Sequence, residues 1–73
     1  MNDSEVENVR FLREERRTTP MGHVAVYRIF RAPDAMMAKQ FLKDRPVSEP
    51  FLYIVVETPQ GNYARDIQGI YKE

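Results

Sequence analysis

The chain has 73 residues, room for one small domain whose core buries only about 60% of the surface of the unfolded chain. Eleven basic residues balance eleven acidic ones, so the formal charge is zero and bulk attraction to nucleic acid or anionic lipid has no driving force. With no cysteine and a single histidine, disulfides, thiolate zinc sites and histidine clusters are excluded as staples for a core this small, and a partner subunit is the compensation that remains.

Residues 1–20 carry five acids and four arginines. Their apolar positions are Met1, Val6, Val9, Phe11 and Leu12. Ser4-Glu5-Val6-Glu7 has the spacing of a capping box, which satisfies two orphan amides at a helix start. Val6, Val9 and Leu12 fall at i, i+3 and i+6. Acids gather early and Arg13, Arg16 and Arg17 gather late, an order that suits the helix dipole. The segment is therefore predicted as a helical or partly disordered arm, stopped by Thr18-Thr19-Pro20. The start of the chain is acidic and lacks an apolar stretch, unlike a secretory signal.

Residues 21–73 are predicted as the folded domain. Met21-Gly22 is a break. His23 to Arg31 is rich in β-branched and aromatic residues and reads as a strand. Ala32-Pro33-Asp34 opens a helix, with the proline at the first helical position. Met37, Ala38, Phe41 and Leu42 share one helical face, and Arg45-Pro46 ends the helix. Phe51 to Thr58 is a second strand. Thr58-Pro59-Gln60-Gly61-Asn62 is a turn in which proline presets one backbone angle and glycine accepts the left-handed one. A third strand runs from Tyr63 to about Ile67, Gly69 breaks it, and the remainder trails off. The predicted fold is α+β: a three-stranded sheet in β-α-β-β order, half of a ferredoxin-like unit, with one packed helix and the N-terminal helical extension.

A sheet covered by one helix has a second face. Leu52, Ile54 and Val56 are assigned to the helix side, which leaves Phe51, Tyr53 and Val55, together with Val26 and Phe30, on the other. A strand that is apolar on both sides is normally covered on both. Val26, Phe30, Phe51, Tyr53 and Val55 are thus the candidate apolar patch for a partner, with Arg28, Glu57 and Arg65 as its polar rim. The expected function is non-catalytic: a protein–protein interaction module or small accessory subunit of a larger assembly, bound to another protein or to a second copy of itself.

Three other chemistries carry less. Tyr27, Tyr53 and Tyr63 with Arg28, Arg31 and Arg65 suggest a sheet that stacks single-stranded RNA or DNA. The glycine-aromatic run of the usual RNA-binding sheet is absent, and the charge is neutral. For catalysis, the lone His23 has no local nucleophile. Glu57 and Asp66 could meet across the hairpin as an acid–base pair, but Arg65 is equally placed to neutralise one of them, so no enzyme activity is expected. No cofactor or metal is expected either: Gly61 and Gly69 are isolated and make no phosphate loop. No apolar run approaches the roughly 18 residues of a membrane span.

The run Val26-Tyr27-Arg28-Ile29-Phe30-Arg31-Ala32, then Tyr53-Ile-Val-Val-Glu-Thr-Pro-Gln-Gly-Asn-Tyr63 and Arg65-Asp66-Ile67-Gln68-Gly69-Ile70-Tyr71-Lys72-Glu73, resembles a small uncharacterised domain of cyanobacterial type over residues 23–73. The resemblance implies no reaction and no cofactor. It implies a cytoplasmic accessory protein, with the polar turn Glu57 to Asn62 and the Arg65-Asp66 pair as the places to look.

Overall fold

The computed structural model describes residues 8–73. It contains five strands and one helix: β1 (Arg10–Thr18), β2 (Val24–Arg31), α1 (Ala35–Lys43), β3 (Leu52–Thr58), β4 (Gly61–Asp66) and β5 (Gly69–Lys72). The strands form one sheet whose spatial order is the chain order, β1-β2-β3-β4-β5. Only β2 and β3 run parallel, joined through α1; every other neighbouring pair is antiparallel.

The expected three-stranded sheet with a helical N-terminal arm is therefore overturned. Arg10 to Thr18, assigned to a helix, form an edge strand against β2. The capping box Ser4–Glu7 lies outside the described residues. Helix propensity loses here to pairing. Thr19-Pro20-Met21-Gly22-His23 closes a three-residue hairpin loop: the Thr19 amide donates to the His23 carbonyl at 2.7 Å and the Gly22 amide to the Thr19 carbonyl at 2.9 Å. Gly22 takes the left-handed position with φ of 89°, as such loops require. Once β1 is held beside β2, its charges alternate usefully. Glu14 sits opposite Arg28 in register and binds its Nε at 3.3 Å, an opposite-charge cross-strand pair.

The second correction is at the other edge. The stretch after Gly69 is a strand, β5, paired to β4. Asp66 accepts from the amides of Gln68 (2.8 Å) and Gly69 (3.3 Å) through Oδ1, a side-chain turn that reverses the chain within two residues. No strand is inserted between others, so the half-ferredoxin arrangement does not hold.

The remaining elements follow the sequence with shifted ends. Asp34, rather than a residue inside the helix, is the N-cap, and its Oδ1 accepts from the Met37 amide at 2.9 Å. Pro33 therefore precedes the cap. The Ala35 amide finds the Gln60 side-chain oxygen at 2.9 Å, which ties the helix start to the β3–β4 turn. In that turn Thr58 Oγ1 donates to the Gly61 carbonyl at 2.7 Å and accepts from the Gln60 amide at 3.0 Å. Ala38 and Leu42 are completely buried, with Met37 and Phe41 beside them, as the helical spacing predicted.

The helix packs on one face of the sheet, over Ala32, Val56 and Tyr63 with Phe30 and Ile54 at the margin. Its C-terminal carbonyls are met from the sheet: Arg65 Nη1 donates to Leu42 O at 2.7 Å and to Lys43 O at 3.3 Å. These are groups that a helix end leaves without intrahelical partners. No second layer covers the opposite face among the described residues, and no helix there is long and apolar enough to cross a membrane.

Candidate functional site: the open face of the sheet

Directly paired residues in a ladder point to the same side of a sheet, so the register sorts every side chain. Phe30 is paired with Val56, Arg28 with Ile54 and Val26 with Leu52, and Arg65 is also opposite Ile54. Since Ile54 and Val56 pack on the helix core, Val26, Phe30, Arg28 and Arg65 share the helix side. Phe30 packs on Phe41 at 4.8 Å between ring centroids, and Arg65 reaches the helix end. Of the eight residues expected to form a partner surface, the structure brings Tyr53, Val55 and Glu57 together on the open face. Phe51 stands at the start of β3 with its ring stacked on His23 at 4.6 Å. The cause of the split is the parallel register, which sequence alone does not reveal.

The open face is rebuilt around residues that alternate with the buried set. Its centre is Ile29, Val55 and Ala64, with Tyr27 packed against them. Ile29 and Val55 are only 5% and 6% exposed although no further layer covers them among the described residues. Larger neighbours shield them: Tyr27 stacks on Tyr53 with centroids 4.7 Å apart and planes 11° apart. The Arg17 guanidinium carbon lies 4.3 Å from the centroid of the Tyr27 ring. Because β2 lies between β1 and β3, Arg17 and Tyr53 occupy opposite faces of Tyr27. Tyr71, paired with Ala64, completes the row and is 41% exposed. Sequence reasoning missed Tyr71 because β5 was not recognised. It included Tyr63, which is instead buried on the helix side.

Charges frame this centre. Glu15 bridges Arg13 (2.7 Å) and Arg17 (2.6 Å) along β1. Glu57 lies 3.8 Å from Arg31 and 3.9 Å from Arg13. The bonds from Arg13 and Arg17 hold the Glu15 carboxyl below the usual carboxylate range. The same bonds push both guanidinium groups up, and the field of Glu73 adds to the effect at Arg17. Burial pushes the Tyr71 hydroxyl above its ordinary value, and the carboxylates of Asp66 and Glu73 add to the shift.

Glu57 sits opposite Asn62, whereas Asp66 sits opposite Gly69 at the far end of β4, so the two carboxylates are not brought together. No three His, Asp or Glu side chains converge to hold a metal ion among the described residues. A groove of about 520 Å³ lies on the helix side between Val9, Met37 and Phe41, and the Arg45 guanidinium already covers the Phe41 ring at 3.7 Å. Comparison of the chain with protein-family models, with curated proteins and with solved structures finds no match.

Proposed function

We propose that this protein is a non-catalytic binding module, an accessory subunit that joins another polypeptide through the open face of its sheet. The supporting observation is the stack Arg17–Tyr27–Tyr53 with Tyr71 beside it, set over a small apolar centre and ringed by Arg–Glu pairs. Tyrosine and arginine are the residues that concentrate binding energy at protein interfaces, with a charged rim around an apolar centre. Tyr53, Val55 and Glu57 remain the core of this reading; Tyr27, Tyr71 and Arg17 join them.

Stacking of single-stranded nucleic acid is supported less. Both ring faces of Tyr27 are taken, one by Arg17 and one by Tyr53, and the arginines of β1 are tied to Glu15. A nucleobase would have to displace these partners to stack there.

The test is Tyr53→Asp against a helix-side control, Met36→Glu, where Met36 is 77% exposed. A tagged chain should retain its partner after the control change and lose it after Tyr53→Asp, with unchanged far-ultraviolet circular dichroism in both. Retention after Tyr53→Asp, in a protein that is still folded, rejects the open face as the binding surface. An oligonucleotide titration whose affinity falls steeply with salt would favour the nucleic-acid reading instead.

A further inference from the structure

The open face is electrically lopsided, and the lopsidedness is self-complementary. On the β1–β2 side lie Arg10, Arg13, Arg17 and Arg31; within the face, among the described residues, their only carboxylate partners at ion-pair distance are Glu15 and Glu57. Arg10 stands directly opposite Arg31 in the ladder, a like-charge pair that is unfavourable by itself. On the β4–β5 side lie Asp66 and Glu73, the latter opposite Asn62, whose carbonyl accepts from the Glu73 amide at 2.8 Å. Neither acid has a cation within salt-bridge distance among the described residues; Lys72 pairs with Tyr63 and so faces the helix side. One edge thus carries surplus positive charge and the other negative, with the tyrosines and β3 between them.

We infer that the partner of this face is a second copy of the same chain. The inference rests on the proposed binding role of the open face and names its occupant. In a closed dimer one patch must match itself after a half-turn. Two arrangements bring two open faces together. A two-fold axis lying across the strands would set β1 over β1 and bring surplus arginines together. An axis running along the strands, over the central β3, sets β1 over β5 and β2 over β4. Arg10 and Arg31 then lie over Glu73 of the partner subunit, Arg17 lies toward Asp66 of the partner subunit, and the tyrosine rows meet at the centre. The charge pattern selects the second arrangement. It yields two sheets packed face to face about 10 Å apart, with helices on the outside. The zero formal charge of the chain leaves no net repulsion between copies.

The experiment is a charge swap read by sedimentation equilibrium. Arg10 and Glu73 are both exposed and have no ion-pair partner within 4 Å among the described residues, so their reversal leaves the internal pairs intact. The wild-type chain should be a dimer. Arg10→Glu alone and Glu73→Lys alone should each weaken it by about tenfold or more, since like charges then face each other. An equimolar mixture of the two variants should recover a dimer of near wild-type affinity, because both junctions of the mixed pair are again opposite in sign. The chain carrying both changes should recover it too. A wild-type chain that stays monomeric, single variants that dimerise normally, or a mixture that fails to recover each overturns the inference. If the wild type is monomeric while Tyr53→Asp still abolishes capture of a different protein, the binding role stands and only the self-association falls.

Discussion

At the residue scale the molecule places its aromatic side chains with sharply different purposes. Tyr63 is 8% exposed and works in the core, while Tyr27, Tyr53 and Tyr71 shield the opposite side. Tyr71 gives a direct electrical readout of that environment. Its hydroxyl ionises above the ordinary tyrosine value because burial, then Asp66 and Glu73, disfavour the phenolate. A raised acid in the folded state adds stability that is complete below the unfolded value and is lost as pH climbs through the folded one. Alkaline unfolding should therefore set in from about pH 10 upward, and Tyr71→Phe should flatten that arm. Absorbance titration at 295 nm should lose a component that ionises above the ordinary tyrosine range in the variant; an unchanged titration curve would refute the assignment. Phe51 is the other unusual residue, with φ of 64°, a left-handed conformation that costs a non-glycine residue about 1–2 kcal/mol. Its carbonyl accepts from the Val26 amide at 2.8 Å and its ring stacks on His23, which offsets the strain and fixes where β3 begins. Nothing in the composition of that stretch announces such a backbone.

At the element scale, what could be read from the residues depended on how local the cause was. The helix, β2, β3 and the Thr58–Gly61 turn were legible because spacing, β-branched runs and turn chemistry act within a few residues. The cap at Asp34 shows the limit. The helix start was read two positions too early, at Pro33 instead of Ala35, since an aspartate oxygen aimed at the amide three residues on marks a cap outside the helix. Asp34→Ala should destabilise the fold by about 1 kcal/mol, measurable as a lower urea midpoint with the slope unchanged, whereas Asp34→Ser should restore most of it. β1 was illegible for the opposite reason. Arg and Glu are good helix formers, and only the neighbouring β2 converts the row Arg13, Glu15, Arg17 into a strand face. The signal that could have found it was Thr19-Pro20-Met21-Gly22, a hairpin loop between two segments of matching length.

At the scale of the whole molecule, the candidate surface was half legible. Tyr53, Val55 and Glu57 were placed together because they alternate along one strand. Val26 and Phe30 were sent to the wrong side because the relation between two strands is set by register, and a shift of one residue exchanges faces. Ile29, Val55 and Ala64 do lie on the side that the helix leaves open, in the midst of charged residues, and apolar groups there need shelter from water. The molecule meets part of that demand by itself, laying tyrosine rings and arginine stems over Ile29 and Val55, in the manner of long amphipathic side chains elsewhere. What stays exposed on that face is a polar-tipped aromatic surface.

Strand order that copies chain order also fixes how the molecule comes apart. Among the described residues β1 and β5 are border strands held along one side only, and β3 lies two strands from either border. Opening can therefore start at either end and advance inward like two zippers approaching one another. Amide deuterium uptake should be fastest in β1 and β5, slower in β2 and β4, and slowest in β3; protection that peaks in β1 would contradict this. Association through the open face would add to that ranking from above, slowing exchange at both borders at once, because each would rest against the opposite border of its twin.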